Sequence, residues 1–559
     1  MIQLWIIVGY LGALIALGLA SNRLFKGTAV DYFVASRGVG PVLLVLSVFG
    51  TTMTAFAIQG SSGEAWVSGV GVFGKMASWS AIVHAACFFL VGVKLWTFGK
   101  RYGYQTQIQF FRDRFDSPNI GILLFPILVF LQMPYVVIGI IGAGNMVTAA
   151  TSGAFPQLFP GQGLANGSVP FWLSTLGCTG VVWLYVSLGG ARATAWANAL
   201  QTLIFLVVGV VTFAMIADKL GGAANATQMV QEYNPSKFTR GVTDEHRKNY
   251  DEKMASWEAA KAAAPEGKPV TSVLKPHPPK EMSEWGFLSY GFIPLSVAMF
   301  PHLFQLWLTA RSAKAFRLTV TLHPLLIMLI WAPCIAIGVW ASAAMIGGKP
   351  VIPFTPDSPD ANANVVIGRM VAALGDPMVS GLLAAGVLAA ILGGMDAQFL
   401  SMGSMFTHDV VDHYFGHDAL TDRQRLITGR VFVVVVVLGC WLLALALKQT
   451  RPIFNLAVWC FSGFAALFPL VIAALYWKRV TRWGAYASIV AGIGSGVWFY
   501  VRIGLDRGFS SRMDPEMWGL VPAAPMVVFA TVALIAVSWL TRPPEAGTIE
   551  KFFSAGARH

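Results

Sequence analysis

The residues of this chain that could do chemistry concentrate in one apolar stretch, Val387 to Val411, which reads VLAAILGGMDAQFLSMGSMFTHDVV. The eleven positions after the pair Gly393-Gly394 include the polar residues Asp396, Gln398, Ser401 and Ser404. Polar groups cost free energy in hydrocarbon, so this stretch is expected to face the protein interior or a wet cavity. A buried carboxyl can load and release a proton, which makes Asp396 a candidate proton carrier. The alternative is that Asp396 makes a hydrogen bond to a neighbouring helix.

Composition places these residues in a membrane protein. The chain has 559 residues, of which 56% are hydrophobic and 12% charged, and a soluble domain carries about twice that fraction of charge. Apolar stretches of roughly 20 residues, each long enough to cross a bilayer as a helix, recur along the chain. The candidate spans are 2–20, 41–60, 72–98, 120–150, 171–188, 193–217, 285–309, 319–346, 377–406, 428–447, 453–477, 482–503 and 520–541. The sequence therefore predicts an all-α integral membrane protein with about thirteen transmembrane helices.

Basic residues predict the orientation of these spans. They follow the first, third, seventh, ninth and eleventh spans, and positively charged loops of polytopic proteins lie in the cytoplasm. The N-terminus is therefore expected outside and His559 inside, in a bacterial cytoplasmic membrane. The net charge of +12 reflects these loops, so the lipid bilayer is the predicted partner and nucleic acid is not. The long polar stretch Asp218–Ser283 is expected outside, either as a solvated helical hairpin with Thr243 as an N-cap or as a lid or docking element.

Two spans contain residues that interrupt helices. Ser47–Thr54 in the second span combines Gly50 with a threonine cluster, which lowers helix propensity and offers hydroxyls. Gly291–Ser296 in the seventh span contains Pro294, which removes a backbone donor. Transporters often bind substrate at discontinuous helices of two inverted repeats, and the two segments open spans 2–6 and 7–11, as a five-plus-five inverted repeat predicts. The candidate solute-binding residues near the two segments are Thr51, Thr54, Gln59 and Ser296.

This organisation divides the chain into five parts. They are an extra N-terminal helix and loop (1–40), the first repeat (41–217), the polar insertion (218–283), the second repeat (284–477), and two additional helices with a short cytoplasmic tail (478–559). His84 in the third span is either a packed, hydrogen-bonded residue or a proton carrier. The sequence has no GxxxxGK(S/T) motif for ATP-driven transport and no HExxH or CxxC motif, so neither an enzyme nor a resident cofactor is predicted.

Five motifs resemble those of the sodium:solute symporter family. They are DYFVASRGVGPVLLVLSVFGTTMTAF from Asp31, GSSGEAWVSG from Gly60, GGARATAWANALQ from Gly189, PHLFQLWLTARSAKAFR from Pro301 and AAILGGMDAQFLSMGSMFTHD from Ala389. The motifs are spread over most of the chain, and an extra helix before the core and two after it also suit the family. The resemblance implies a LeuT-type core and cation-coupled transport of a small organic solute by alternating access, with Na⁺ as the coupling ion.

The resemblance also implies where a cation site would lie. Backbone carbonyls of the first core helix would come from about Phe49 to Met53, and hydroxyls of the eighth core helix would come from positions 393 and 394. Both of those positions are glycine, at Gly393 and Gly394. The acidic residues that the family often carries in its first and fifth core helices fall at Thr52 and Asn198. Several expected sodium ligands are therefore absent together.

Three interpretations of this departure stay open. A shifted sodium site would use hydroxyls of Thr51, Thr52, Thr54, Ser401 or Ser404. Transport would otherwise be coupled to protons or uncoupled, and the proton or gating candidates are then Asp396, Asn198 and His84. The third interpretation is a membrane sensor or scaffold that uses a symporter-like fold. The solute is left open among sugars, amino acids, carboxylates, nucleobases and vitamins, and so is the presence of a partner subunit.

Overall fold

Helices make up nearly all of the regular structure in the computed structural model, which describes residues 1–23, 29–161, 166–263, 273–352, 361–416, 420–447, 452–507 and 516–553. A short antiparallel hairpin joins β1 (Met345–Ile346) to β2 (Lys349–Pro350). In chain order the helices are α1 (Ile2–Asn22), α2 (Ala29–Val34), α3 (Pro41–Thr52), α4 (Ser61–Ser68), α5 (Trp79–Cys87), α6 (Val93–Tyr102), α7 (Gln107–Arg114), α8 (Ile120–Ala150), α9 (Phe171–Lys219), α10 (Ala223–Tyr233), α11 (Asp244–Ala262), α12 (Glu284–Tyr290), α13 (Pro301–Leu308), α14 (Phe316–Ala341), α15 (Ala361–Asn364), α16 (Val366–Ala372), α17 (Pro377–Met405), α18 (Asp412–Phe415), α19 (Asp422–Leu447), α20 (Ile453–Ala466), α21 (Phe468–Tyr476), α22 (Arg482–Arg507), α23 (Ala523–Leu540) and α24 (Ala546–Phe553).

The number of membrane-spanning helices is close to the predicted one. Within the described residues, length and composition allow ten helices to cross a membrane, or up to twelve if two bent helix pairs each form one span. The predicted spans 171–188 and 193–217 both fall in α9, which has 49 residues. A helix of that length measures roughly 70 Å, more than twice the thickness of a bilayer core. The dihedral angles of α9 leave the helical region at Gly190 (φ 55°, ψ −148°), so the element is two helices joined at a kink.

The helix α17 forms the centre of the core. Every residue from Leu383 to Met405 is buried, and α17 packs against α1, α3, α8 and α9. Small side chains allow this close packing, since a Cβ atom added at Gly386 would lie 2.2 Å from Val208 Cγ1 of α9. The polar residues predicted to face the protein interior are therefore in the interior.

The polar insertion is helical, as its sequence predicts. It contains α10 and α11, and the Thr243 hydroxyl accepts a hydrogen bond from His246 N, which makes Thr243 the N-cap of α11. Residues 264–272 of the insertion lie outside the described residues, as does the predicted cytoplasmic end at His559.

Candidate functional site

The first interruption separates α3 from α4. The two halves of this pair are bent by 57°, and Met53 between them is extended (φ −88°, ψ 91°). The Phe49 carbonyl, a predicted cation ligand, accepts hydrogen bonds from Met53 N (3.0 Å) and from the Thr52 hydroxyl (2.8 Å). The predicted break within Ser47–Thr54 is confirmed, and Thr52 caps the end of its own helix.

The second interruption separates α12 from α13. The α-helix ends at Tyr290 and a 3₁₀ turn follows over Ile293–Ala298, which confirms the break predicted around Pro294. The segments Glu284–Ala298 and Pro301–Leu308 are bent by 48° relative to each other. Phe300 is extended (φ −65°, ψ 118°) immediately before Pro301. Since a proline disfavours the helical conformation of the preceding residue, Pro301 is a second helix stop, which the sequence analysis did not use.

Five aromatic residues bring the two interruptions together, and they are called the aromatic box: Phe56, Tyr135, Phe300, His302 and Phe461. Tyr135 of α8 lies beside the Thr54 hydroxyl of the first interruption. Its ring centroid is 5.4 Å from that of Phe300 and 5.7 Å from that of His302, at the second interruption. Phe461 of α20 closes the box, 4.9 Å from Tyr135 and 5.1 Å from Phe56. A ligand between the two broken helices would contact these rings.

Polar atoms at the box lack protein partners. Gln59 Oε1 and both ring nitrogens of His302 are buried and make no hydrogen bond to any described residue, whereas Thr54 Oγ1 has the Tyr135 hydroxyl beside it. Gln59 Nε2 donates to Gly142 O (2.9 Å), which holds the amide in place. Ser296 is buried in the 3₁₀ turn, where its carbonyl accepts from Met299 N (2.9 Å). Buried polar groups normally have partners, so the open positions indicate where a polar ligand or water belongs.

A second polar cluster, the carboxylate network, lies where α3, α9 and α17 meet. Asp396 is fully buried and accepts from the Tyr185 hydroxyl (2.8 Å) and from Asn198 Nδ2 (3.1 Å). Asn198 Nδ2 also donates to the Thr51 hydroxyl (3.1 Å), which donates to Gly393 O (3.2 Å). The hypothesis that Asp396 bonds to another helix is confirmed, and Thr51 belongs to this network, not to the aromatic box.

The glycine at position 393 allows oxygen atoms of α3 and α9 to approach α17 closely. A Cβ added at Gly393 would lie 2.7 Å from Asn198 Oδ1, 3.0 Å from Gln201 Oε1 and 3.4 Å from Gly50 O. Neither side-chain oxygen has a hydrogen-bond partner within the described parts of the chain. Three oxygen atoms, two on α9 and one on α3, therefore lie next to the backbone of α17 at this glycine.

The other predicted glycine position, Gly394, and the Ser401 hydroxyl both make packing contacts. A Cβ at Gly394 would lie 2.5 Å from Thr54 Cγ2, so this glycine allows close packing against the first interruption. Ser401 accepts from Gln132 Nε2 (2.9 Å) and donates to Gln398 O (2.9 Å). The helices α8 and α17 are joined by this contact, which leaves Ser401 in a packing role.

His84 has a partner that the sequence analysis missed. Its Nδ1 lies 3.2 Å from Nε2 of His323 in α14, and both rings are buried. The His323 ring also packs against Phe49 (5.4 Å) and Phe88 (4.8 Å). His84 is therefore hydrogen-bonded, as one of its two interpretations predicted. The sequence shows one histidine in each of two apolar spans, but nothing in the sequence indicates that these spans lie side by side.

Comparisons with known proteins identify the family. A family model for sodium:solute symporters matches residues 32–492. The chain belongs to the sodium:solute symporter family. Among curated relatives of this symporter family member is the high-affinity proline transporter PutP of Bacillus subtilis, 23% identical over 545 residues, covering 93% of the chain and 95% of the relative. The sodium/pantothenate symporter of Escherichia coli is 24% identical over 522 residues and covers 92% of each protein.

A solved structure supports the fold. A Na⁺-coupled sialic acid symporter in a substrate-bound outward-open state superposes with a TM-score of 0.68 at 16% identity, covering 98% of this chain and 99% of the other. At this identity the likeness concerns the fold alone. The family member described here is thus an all-α membrane protein with a symporter fold, as its motifs predicted.

Proposed function

We propose that this protein is a secondary active transporter that carries a small organic solute together with Na⁺ across the bacterial cytoplasmic membrane. The meeting of two interrupted helices at Tyr135 carries this proposal. A solute with apolar surface would contact the aromatic box, and its polar groups would bond to Thr54, Gln59 and His302. Alternating access would then expose the box to each side of the membrane in turn.

The relatives support a small solute without selecting one. They are named for the transport of proline and of pantothenate, and the solved neighbour is named for sialic acid. With identities of 24% or less, side chains that contact solute are free to differ. We therefore assign the solute as a small organic molecule and leave its identity to experiment.

Sodium fits the residues around Gly393. Na⁺ is a hard cation and prefers oxygen ligands, and Asn198 Oδ1, Gln201 Oε1 and Gly50 O lie next to Gly393. We propose that these three atoms, and not hydroxyls at positions 393 and 394, would hold the ion. When bound, Na⁺ supplies a positive charge that draws α3 and α9 together beside α17. Of the five hydroxyls of the shifted site predicted from sequence, those of Thr51, Thr52 and Ser401 are hydrogen-bonded elsewhere. The hydroxyls of Thr54 and Ser404 remain candidates for such a site.

Proton coupling is the second candidate. The His84–His323 pair favours it, because two neutral imidazoles 3.2 Å apart share one hydrogen bond and can accept an additional proton. The pair contacts Phe49, four residues before the first interruption. A membrane sensor or scaffold with this fold is the remaining alternative.

The topology belongs to the same proposal. Dividing α9 at Gly190 and counting each bent pair as one span would give thirteen spans within the described residues, the number expected from sequence. Each proposed repeat, 41–217 and 284–477, then opens with an interrupted helix, as a five-plus-five inverted repeat requires. The insertion 218–283 would lie outside and the tail of 478–559 inside, with the segment 1–40 preceding the core.

Counterflow in proteoliposomes tests the transport proposal. The purified protein would be tested with L-proline, pantothenate, sialic acid and a wider panel of sugars, amino acids and nucleobases. We expect at least one solute to exchange and an inward Na⁺ gradient to accelerate its uptake. Acceleration by a pH gradient alone would select proton coupling, and absence of exchange for every solute would favour the sensor or scaffold.

A further inference from the structure

One buried lysine joins the polar insertion to the first interrupted helix. Lys237 lies in the 3₁₀ turn Pro235–Phe238 and is 4% exposed. Its ammonium group donates to Trp66 O (2.9 Å) and to Val67 O. These carbonyls belong to the last turn of α4, where a helix has no internal donors left for them. Lys237 therefore caps α4 by donating hydrogen bonds to its last carbonyls.

The backbone around this contact is shaped for close approach. Gly69 ends α4 with a positive φ of 87°, and a Cβ there would lie 2.3 Å from Lys237 O. Val70 N donates to the same carbonyl (2.8 Å). The His277 ring of the insertion packs edge-on against Trp66, with centroids 4.3 Å apart. Side-chain and main-chain contacts thus hold the insertion on the end of α4.

The same insertion is anchored on other helices. Thr227 accepts from Trp340 Nε1 (3.1 Å), and Asn234 Nδ2 donates to Ser342 O (3.1 Å), at the end of α14. The Arg240 guanidinium lies 5.2 Å from the ring centroid of Phe287 in α12, the first half of the second interrupted pair. The insertion therefore bridges α4, α12 and α14, and movement of α4 away from α14 would break the contacts of Lys237.

The charges that face Lys237 come from two other segments. Burial lowers the pKa of Lys237 to about 7, the Glu64 carboxylate of α4 raises it, and Lys280 of the insertion lowers it. The pKa of His277 lies well below its ordinary value because the ring is buried near Lys237 and Lys275, so this ring is neutral at pH 7.

We propose that Lys237 is a positioning residue that clamps α4 to the insertion through its hydrogen bonds to Trp66 O and Val67 O. The clamp rests on the proposed function in one respect, because α4 is treated as a half-helix that must move to open the aromatic box. The contact itself is independent of transport.

The direction of the pH dependence follows from linkage. A solvated lysine has a pKa of about 10.4, whereas burial lowers the pKa of docked Lys237 to about 7. Below pH 7 both states carry the proton, so the clamp does not change with pH. Between the two pKa values only the released state carries it, so the clamp strengthens as pH rises, by up to about tenfold per pH unit.

Hydrogen–deuterium exchange on the purified full-length protein tests the clamp. The readout is the protection of peptides covering residues 61–72, divided by the intrinsic exchange rate at each pH. In the wild type, this protection should be flat from pH 6 to 7 and rise by up to about tenfold per pH unit from pH 7 to 9. The Lys237→Met variant should lower it at least about tenfold at pH 8.5 and remove its pH dependence.

Lys253 provides a matched control. Its ammonium donates to Glu232 O (2.6 Å) and Tyr233 O (2.8 Å), which both lie within the insertion. Lys253→Met should leave the protection of 61–72 and its pH profile unchanged. Equal protection in Lys237→Met, or loss in both lysine variants, would overturn the proposal.

Two further variants retain Lys237 and carry the test if Lys237→Met does not fold. Glu64→Gln removes a charge that favours the ammonium, so the rise in protection should begin at lower pH. Lys280→Met removes a charge that opposes it, so the rise should begin at higher pH. Shifts in the same direction, or no shift in either variant, would contradict the assignment. Because exchange is measured without solute, failure of the transport proposal would leave this result readable.

Discussion

The carboxylate network and the aromatic box are both buried and both adjoin the first interruption. They differ in whether the central side chain, Asp396 or His302, is hydrogen-bonded to the protein. In the network, both Asp396 oxygens have donors, from Tyr185 and Asn198. In the box, both His302 nitrogens lack a hydrogen bond to the described residues. A satisfied buried network rigidifies a core, whereas unsatisfied buried atoms cost free energy unless something else binds them. The difference supports a scaffold role for Asp396 and the proposed solute-binding role for the box, while the unpartnered Asn198 Oδ1 is left for the proposed ion.

The largest effect is expected from Asp396→Ala, which tests the scaffold side of the comparison. It leaves the Tyr185 hydroxyl and Asn198 Nδ2 without the acceptor they share, and unfolding should become easier by about 3 kcal/mol. Asp396→Asn should cost less than about 1 kcal/mol, because the Tyr185 hydroxyl can rotate to accept from the new amide. Thermal melting of the detergent-solubilised variants measures both. Loss of pH-driven uptake in the Asp396→Asn variant, with its melting temperature unchanged, would show that Asp396 is a proton carrier.

Gly393→Ser tests whether the oxygen atoms next to Gly393 hold an ion. The added Cβ would lie 2.7 Å from Asn198 Oδ1, so the variant should lose about 1–3 kcal/mol of stability through overpacking. It should also raise about tenfold the Na⁺ concentration that is needed for thermal stabilisation, because the added side chain lies at the proposed site. Gly394→Ala is the matched control, since its Cβ meets Thr54 Cγ2 and none of the three oxygens. Stronger Na⁺ dependence in Gly393→Ser would restore the hydroxyl site expected from the family.

His302→Phe tests the solute side of the comparison. It keeps a ring against Phe300 and Tyr135 but removes two buried nitrogens, so the melting temperature should stay the same or rise. Affinity for the solute found by counterflow should fall about tenfold, as loss of one hydrogen bond to a bound ligand predicts. The exposed His413→Ala serves as the control. A marked loss of stability would show that the His302 nitrogens have protein partners and would remove the contrast between the two regions.

Ala255→Cys is expected to change neither stability nor transport. Ala255 is exposed on α11, far from both polar clusters in sequence and within the insertion. A membrane-impermeant thiol reagent should label it in intact cells if the insertion lies outside. Labelling that requires permeabilised cells would invert the proposed topology and place the Lys237 clamp on the cytoplasmic side.

Local sequence patterns predicted the helices and their interruptions. Threonines after Gly50 and the proline at position 294 act on the backbone of their own segment, so the breaks could be read without knowing the neighbours. The residue at position 302 could not be recognised in this way. A single histidine after a proline has no periodic partner in sequence, and its importance comes from Tyr135 and Phe461 on two other helices.

The polar candidate residues show the same limit, because their partners lie far away in the sequence. The apolar neighbours of Asp396 on its own helix predicted that its partner would come from elsewhere, and this was confirmed. That the partner is Tyr185, 211 residues away, was beyond any local rule. Thr51 was predicted to contact solute, but the packing of α3 against α17 turns its hydroxyl to Gly393 O, in the carboxylate network.

Hydropathy, basic loops, helix-breaking residues and family motifs were sufficient by themselves to determine an all-α membrane protein of the symporter family with two interrupted helices. These features act through short-range backbone preferences and through transfer from water to lipid, which each segment experiences on its own. Only the tertiary structure decided that oxygens of Asn198 and Gln201 surround Gly393, and that Lys237 reaches Trp66. Such contacts depend on the packing of distant helices, and the free energy of a buried polar group depends on which partner that packing supplies.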